Sequence, residues 1–106
     1  MADEDKDRQP RVIDDVEDSR FTVTEGGDVA ELVYDVNDGR LFLLHTGVPE
    51  AFRGQGIGGL LVRASVDKAR AENLTIVPWC PYARRWLRDN ASIADTVTID
   101  WKTPPP

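Results

Sequence analysis

The densest chemical signal in the sequence is a glycine run, with four of the eight glycines lying in Gly54-Gln55-Gly56-Ile57-Gly58-Gly59, directly after Arg53. Where such a run opens a helix, successive backbone N–H groups converge at the positive end of the helix dipole, and an anion can sit there. Phosphate is the natural guest. Two other groups stand alone of their kind, His45 and Cys80. Histidine can exchange a proton near neutral pH. Cys80 precedes Pro81, and a helix opening at that proline favours the thiolate. Tyr82 adds a hydroxyl two residues on. A single cysteine excludes an internal disulfide and a multi-cysteine zinc site, so no metal is expected.

The literal pattern Gly54-x-Gly56-x-x-Gly59 matches the dinucleotide-binding fingerprint, but only one strand-helix-strand unit follows and no acid ends the next strand to hold a ribose. A nucleotide P-loop needs Lys-Ser/Thr at the close of the run, and Leu60-Leu61 stands there. The remaining readings are a phosphate seat of another kind and a tight strand-to-helix turn with no ligand.

The elements that must carry these groups are legible from periodicity. Phe21 to Thr24 reads as a strand, Gly26-Gly27-Asp28 as a tight turn, and Val29 to Val36 as a second strand. After the turn at Asn37-Asp38-Gly39, Leu41 to Val48 is apolar for longer than an alternating edge strand, which suggests a central strand covered on both faces. A helix follows the glycines through Glu72, with Arg63, Asp67 and Arg70 on one arc, and Asn73 is a left-handed stop. Leu74 to Trp79 is a short strand, and the crossover makes it parallel to the central one. A helix from Pro81 should turn Tyr82, Trp86 and Leu87 inward and Arg84, Arg85 and Arg88 outward. Thr96 to Trp101 is a last strand candidate before the prolines 104–106 end any ladder.

At 106 residues, 41% apolar and 30% charged, the chain suits one soluble globular domain. The net charge of −6 is concentrated in residues 1–19, where eight acidic side chains face three basic ones. That stretch reads as a disordered acidic arm, residues 20–101 as the domain, and 102–106 as a proline-rich tail. The nearly balanced body argues against nucleic acid, no run spans a membrane, and the acidic start does not resemble an export leader, so the cytoplasm is expected.

Arg53, Gly56 and Gly58 fill [Gln/Arg]-x-x-Gly-x-[Gly/Ala], which resembles the acetyl-coenzyme A loop of the GNAT superfamily of N-acetyltransferases. The succession His45-Thr46-x-Val48-Pro49, Arg53-Gly54-x-Gly56-Ile57-Gly58, Leu61-Val62-Arg63-Ala64 and Val77-Pro78-x-Cys80-Pro81-Tyr82 resembles the very small, single-domain members, over roughly residues 20–89. The resemblance implies an α+β fold with a mixed, mostly antiparallel sheet, one strand-helix-strand crossover and a splayed parallel pair. It implies acetyl-coenzyme A as cosubstrate, bound by Thr46, Gly47, Val48, Arg53, Gly54, Gln55, Gly56, Ile57, Gly58 and Gly59, with acetyl passing to a primary amine. The helices that larger members insert between the first strands are missing, so the acceptor side should be open and suit a protein terminus, a lysine or a polyamine. A monomer or weak dimer is expected.

Transfer from a thioester to an amine needs a base, charge stabilisation at the carbonyl oxygen and a proton for the departing thiolate. His45 is the first candidate base and Glu50, through water, the second. Cys80 is either a transient nucleophile or a polar neighbour of the coenzyme sulfur. Tyr82 is the candidate donor. Two rivals remain. Trp79-Cys80-Pro81-Tyr82 is similar to a glutaredoxin signature, but Ala83 removes the second thiol and only 24 residues follow Tyr82. The other rival is a silent coenzyme A-binding or interaction module.

Overall fold

The computed structural model describes residues 10–106. Five strands, β1 (Ile13–Asp15), β2 (Arg20–Glu25), β3 (Asp28–Asn37), β4 (Arg40–Gly47) and β5 (Thr75–Pro78), form one sheet in sequence order. The first four are antiparallel neighbours, and β4 and β5 are parallel. Helix α1 (Ile57–Glu72) links that parallel pair, while α2 (Pro81–Asp89) and the short α3 (Ala91–Ala94) follow β5. This is the α+β arrangement expected, with the helices gathered on one face of the sheet.

Alternation along each strand decides which residues that face collects. Phe21 and Val23 of β2, Ala30 and Leu32 of β3, Leu41 and Leu43 of β4 and Ile76 of β5 point to the helices. They meet Ile57, Leu61, Val62, Val66 and Ala69 of α1 and Ala83 and Leu87 of α2. Burial of each large apolar side chain stabilises the fold by roughly 1.5–3 kcal/mol. The arc of Arg63, Asp67 and Arg70 stays exposed, with Arg70 Nη2 2.7 Å from Asp67 Oδ1. Asn73 stops α1 in the left-handed region, and the Leu74 amide donates to the Ala69 carbonyl at 2.8 Å.

Four expectations need correction. Ile13–Asp15 is strand, not disordered arm, because Asp14 reaches under the sheet: its carboxylate accepts from the Tyr34 hydroxyl at 2.5 Å and from Lys68 Nζ at 2.8 Å. Residues 1–9 of the expected arm lie outside the described residues. Residues 96–101 supply only a bridge, Ile76↔Ile99, since Thr98 and Asp100 both bond to Ile76 while the chain then curls around the Asp100 carboxylate. The inner face of α2 is Ala83 and Leu87 with Trp86 packed beside them as expected, but Tyr82 is 45% exposed. Arg84 is not a free outer cation, for it donates to the Trp101 carbonyl at 2.8 Å.

Candidate active site at the strand fork

The parallel pairing of β4 and β5 ends at Leu43↔Pro78. Beyond it β4 continues through Leu44, His45, Thr46 and Gly47, whereas the chain after β5 turns into α2. The Cys80 amide closes the fork by donating to the Leu43 carbonyl at 2.8 Å. The backbone groups of Leu44 to Gly47 directed away from β3 therefore have no ladder partner on β5. A register shift opposite Val33/Tyr34 leaves Leu44 as the extra residue of a bulge, bending β4 where it leaves its neighbour.

The same shift sorts the side chains. Thr46 pairs with Leu32 and His45 with Val33, so the two point to opposite faces. Thr46 faces the helices, where its hydroxyl lies 3.2 Å from Cys80 Sγ. Cys80 is the cap residue of α2, with only 3% of its surface exposed. His45 stands exposed on the other face, near Gly47 and Glu31. Cys80 and His45 thus flank one strand from opposite sides. Arg20 takes the Glu31 carboxylate at 2.9 Å.

The glycine loop stands at the open end of the fork. A single 3-10 turn, Glu50–Phe52, brings the chain from β4 to Arg53, and Phe52 anchors it in the core. Gly54 and Gly56 have φ of 80° and 70°, a left-handed conformation disfavoured for other residues, and a Cβ on either would meet nothing within 4 Å. Gly56 caps α1 without any side-chain hydrogen bond, and no acidic residue occupies the first turn. The first amides of α1 are therefore not capped by a side chain. Arg53 is exposed and shares a cavity of about 420 Å³ with Val48, Pro49 and Glu50. Gln55 leans back, its side chain donating to the Ala51 carbonyl at 3.2 Å.

Gly58 and Gly59 do something different. They lie inside α1, and a Cβ on Gly58 would fall 2.5 Å from the Tyr82 hydroxyl, one on Gly59 2.6 Å from Trp86 Nε1. The pair lets α2 lie against α1 and holds the Tyr82 phenol over the first turn of the longer helix. Burial and, secondarily, the neighbouring Cys80 push the Tyr82 pKa above its ordinary value. The structure brings Thr46, Cys80, Tyr82 and the loop to one end of the sheet, with His45 on the reverse of the same strand. Sequence reasoning missed the Leu44 bulge, which has no residue signature. It also missed the Thr46 hydroxyl as a partner of the thiol, although Thr46 and Cys80 were both among the candidates.

A mixed sheet with a splayed parallel pair and a glycine-led helix at its mouth defines the N-acetyltransferase class. A family model described as GCN5-related N-acetyl-transferase matches residues 20–96, and the chain belongs to that family of acyltransferases. Among similar proteins, Protein NATD1 of Homo sapiens is 36% identical over 83 residues, covering 76% of this chain and 74% of the relative. Its counterpart in Danio rerio is 34% identical over 83 residues, with 76% of each chain covered. The NMR solution structure of a GCN5-like chain from Staphylococcus aureus superimposes with a TM-score of 0.65 at 27% identity, covering 90% of this chain and 95% of that one.

Proposed function

We propose that this protein moves an acetyl group from acetyl-coenzyme A to a primary amine that approaches over the open face of the sheet. One observation carries the reading: the fork beyond Leu43↔Pro78 has the α1 amides, uncapped by any side chain, at its mouth. The residues fit the coenzyme, since the space a Cβ would take at Gly54 and Gly56 is empty and no carboxylate opposes an anion in the first turn. Arg53 and the amides from Gly56 to Gly59 would hold the diphosphate, the Gln55 amide being already given to the Phe52 carbonyl at 3.2 Å, and Thr46 to Val48 would lie along the pantetheine arm. When bound, the coenzyme supplies an acyl carbon activated by its bond to sulfur.

The chain's own groups then divide the proton work between two sides of β4. His45, on the open face, takes the proton of the acceptor ammonium. The freed nitrogen would form the C–N bond as the C–S bond breaks; the sulfur would take the proton of Tyr82, which like any phenol is protonated at neutral pH and here more firmly so, and the second proton shed by the nitrogen as it becomes an amide would return to the Tyr82 phenolate through solvent. N–H groups of β4 beyond Leu43, which have no partner on β5, would stabilise the charge that gathers on the carbonyl oxygen. Cys80 is buried behind Thr46, which favours direct transfer over an acetyl-cysteine relay; the two side chains hold the wall of the fork.

The test is release of the coenzyme thiol in the presence of mixed primary amines. Tyr82→Phe should lower kcat about 100-fold, as for a lost general acid, while Cys80→Ala retains most of the wild-type rate. An acetyl group found on Cys80 by mass spectrometry, with an inactive Cys80→Ala, would establish the relay instead. Tight coenzyme binding without turnover would mark a silent binding module.

A further inference from the structure

On the open face, where β4 and β5 begin to part, lies a cavity of about 550 Å³ that the coenzyme seat does not use. Its walls are apolar and aromatic: Phe42 and Leu44 of β4 and Trp79 after β5, with the rings of Phe42 and Trp79 4.7 Å apart. Its far rim is polar, with Asp35 and Asn37 of β3, and Ser19, Tyr34 and Pro106 complete the lining. Residues 97–106 lie beyond the stretch matched by the family model, yet they are firmly tied down. Trp79 Nε1 donates to the Thr103 carbonyl at 2.9 Å, and Arg40 reaches Asp100 at 3.2 Å.

Asp35 pairs with Phe42 across the sheet, and β4 runs from Phe42 to the fork at Leu44 and His45. At ~3.3 Å per residue the carboxylate therefore stands about 7–10 Å from the acyl-transfer position. Phe42, Leu44 and Trp79 wall the cavity on the side toward the fork. Aromatic faces and a carboxylate together attract a cation, and the apolar wall suits methylenes. Arg40 lies over the Phe42 ring at 5.1 Å, but its charge is taken by Asp100.

Resting on the acyl-transfer reading, we propose that this cavity is the acceptor pocket and that it selects aliphatic diamines, with one ammonium held at Asp35 and the other delivered to the fork. Of the C-terminal segment, Pro106 supplies one wall of the pocket where inserted helices would otherwise stand.

The experiment compares putrescine and cadaverine with butylamine and pentylamine, in wild type and Asp35→Asn. Wild type should favour the diamines, and Asp35→Asn should raise their KM about five- to tenfold, as for one partly exposed ion pair, with kcat and the monoamines unchanged. In parallel, the Trp79 indole N–H resonance, assigned with Trp79→Phe, should shift on titration with cadaverine alone and shift less in Asp35→Asn. Equal kcat/KM for matched mono- and diamines, or an indole signal that does not move, would overturn the pocket while leaving acyl transfer standing. A shifted signal without turnover of any amine would support the pocket and overturn acyl transfer.

Discussion

The two halves of the glycine run are chemically alike and physically opposite. Gly54 and Gly56 are exposed, left-handed and surrounded by empty space, whereas Gly58 and Gly59 are helical and pressed against Tyr82 and Trp86. In the first half a side chain is absent so that something from outside can approach the backbone. In the second it is absent so that a neighbouring helix can. A phosphate-loop pattern therefore need not assign every glycine to the phosphate: here the last two position the α2 side chain proposed to protonate the leaving sulfur.

Substitutions that act on one half only would sharpen this contrast. The largest expected effect is that of Gly56→Glu, which puts a carboxylate into the anion seat and should weaken acetyl-coenzyme A binding about 100-fold by calorimetric titration, with ~1–2 kcal/mol of stability lost to the left-handed backbone. Gly59→Leu should do the reverse. Forcing Trp86 aside in a packed layer should destabilise the fold by about 1–3 kcal/mol in urea unfolding, while the affinity of the folded fraction changes far less. Equal loss of affinity in both variants would break the division. Gly58→Ala should be milder in stability, within about 1 kcal/mol, because the half-exposed Tyr82 can swing away. Its kcat should fall about tenfold, since the hydroxyl swings with the ring.

Two pH effects complete the series. Because burial raises the Tyr82 pKa, ionisation of that phenol should cause no loss of rate below about pH 10, so an alkaline fall that appears there and is absent from Tyr82→Phe would contradict the raised pKa, and one that persists in Tyr82→Phe would belong to another group. The smallest effect belongs to the C-terminal strap whose Pro106 walls the open-face cavity. Hydrogen bonds from the Thr103 hydroxyl, from the Thr103 and Lys102 amides, and the charge of Arg40 lower the Asp100 pKa to about 2. A lowered carboxyl pKa stabilises the folded state above the unfolded value near 4, and that contribution is lost as pH falls toward 2. Acid unfolding of Asp100→Asn should accordingly be shallower than that of wild type across this window.

The order of strands, the crossover and the place of the loop were legible because period-two and helical patterns, the turns and the Asn73 stop all agree in residues 20–89. What escaped the sequence depended on tertiary neighbours. Asp14 looks like one more acid in a charged arm until Tyr34 and Lys68 meet it from β3 and α1. Burial, with the Asp14 hydrogen bond, raises the Tyr34 pKa to about 12, so the pair is one neutral hydroxyl donating to one carboxylate. Tyr82 satisfies a helical inner-face pattern, yet the close approach of α1 at Gly58 leaves it at the rim. The Leu44 bulge, which sends Thr46 and His45 to opposite faces, is a register change and leaves no trace in residue type. The wall that Pro106 gives the open-face cavity needs residues 102–106 to fold back, an outcome decided by Arg40, Trp79 and Asp100 far apart in sequence.

The central claim, that the uncapped amides at the start of α1 seat a diphosphate, is tested most directly by an amide-resolved NMR titration with coenzyme A. The largest shifts should fall on the N–H groups of Gly56 to Gly59, with a second set at Thr46 to Val48, and all should vanish in Gly56→Glu. Saturable binding that leaves those amides unmoved and perturbs another surface would contradict the claim.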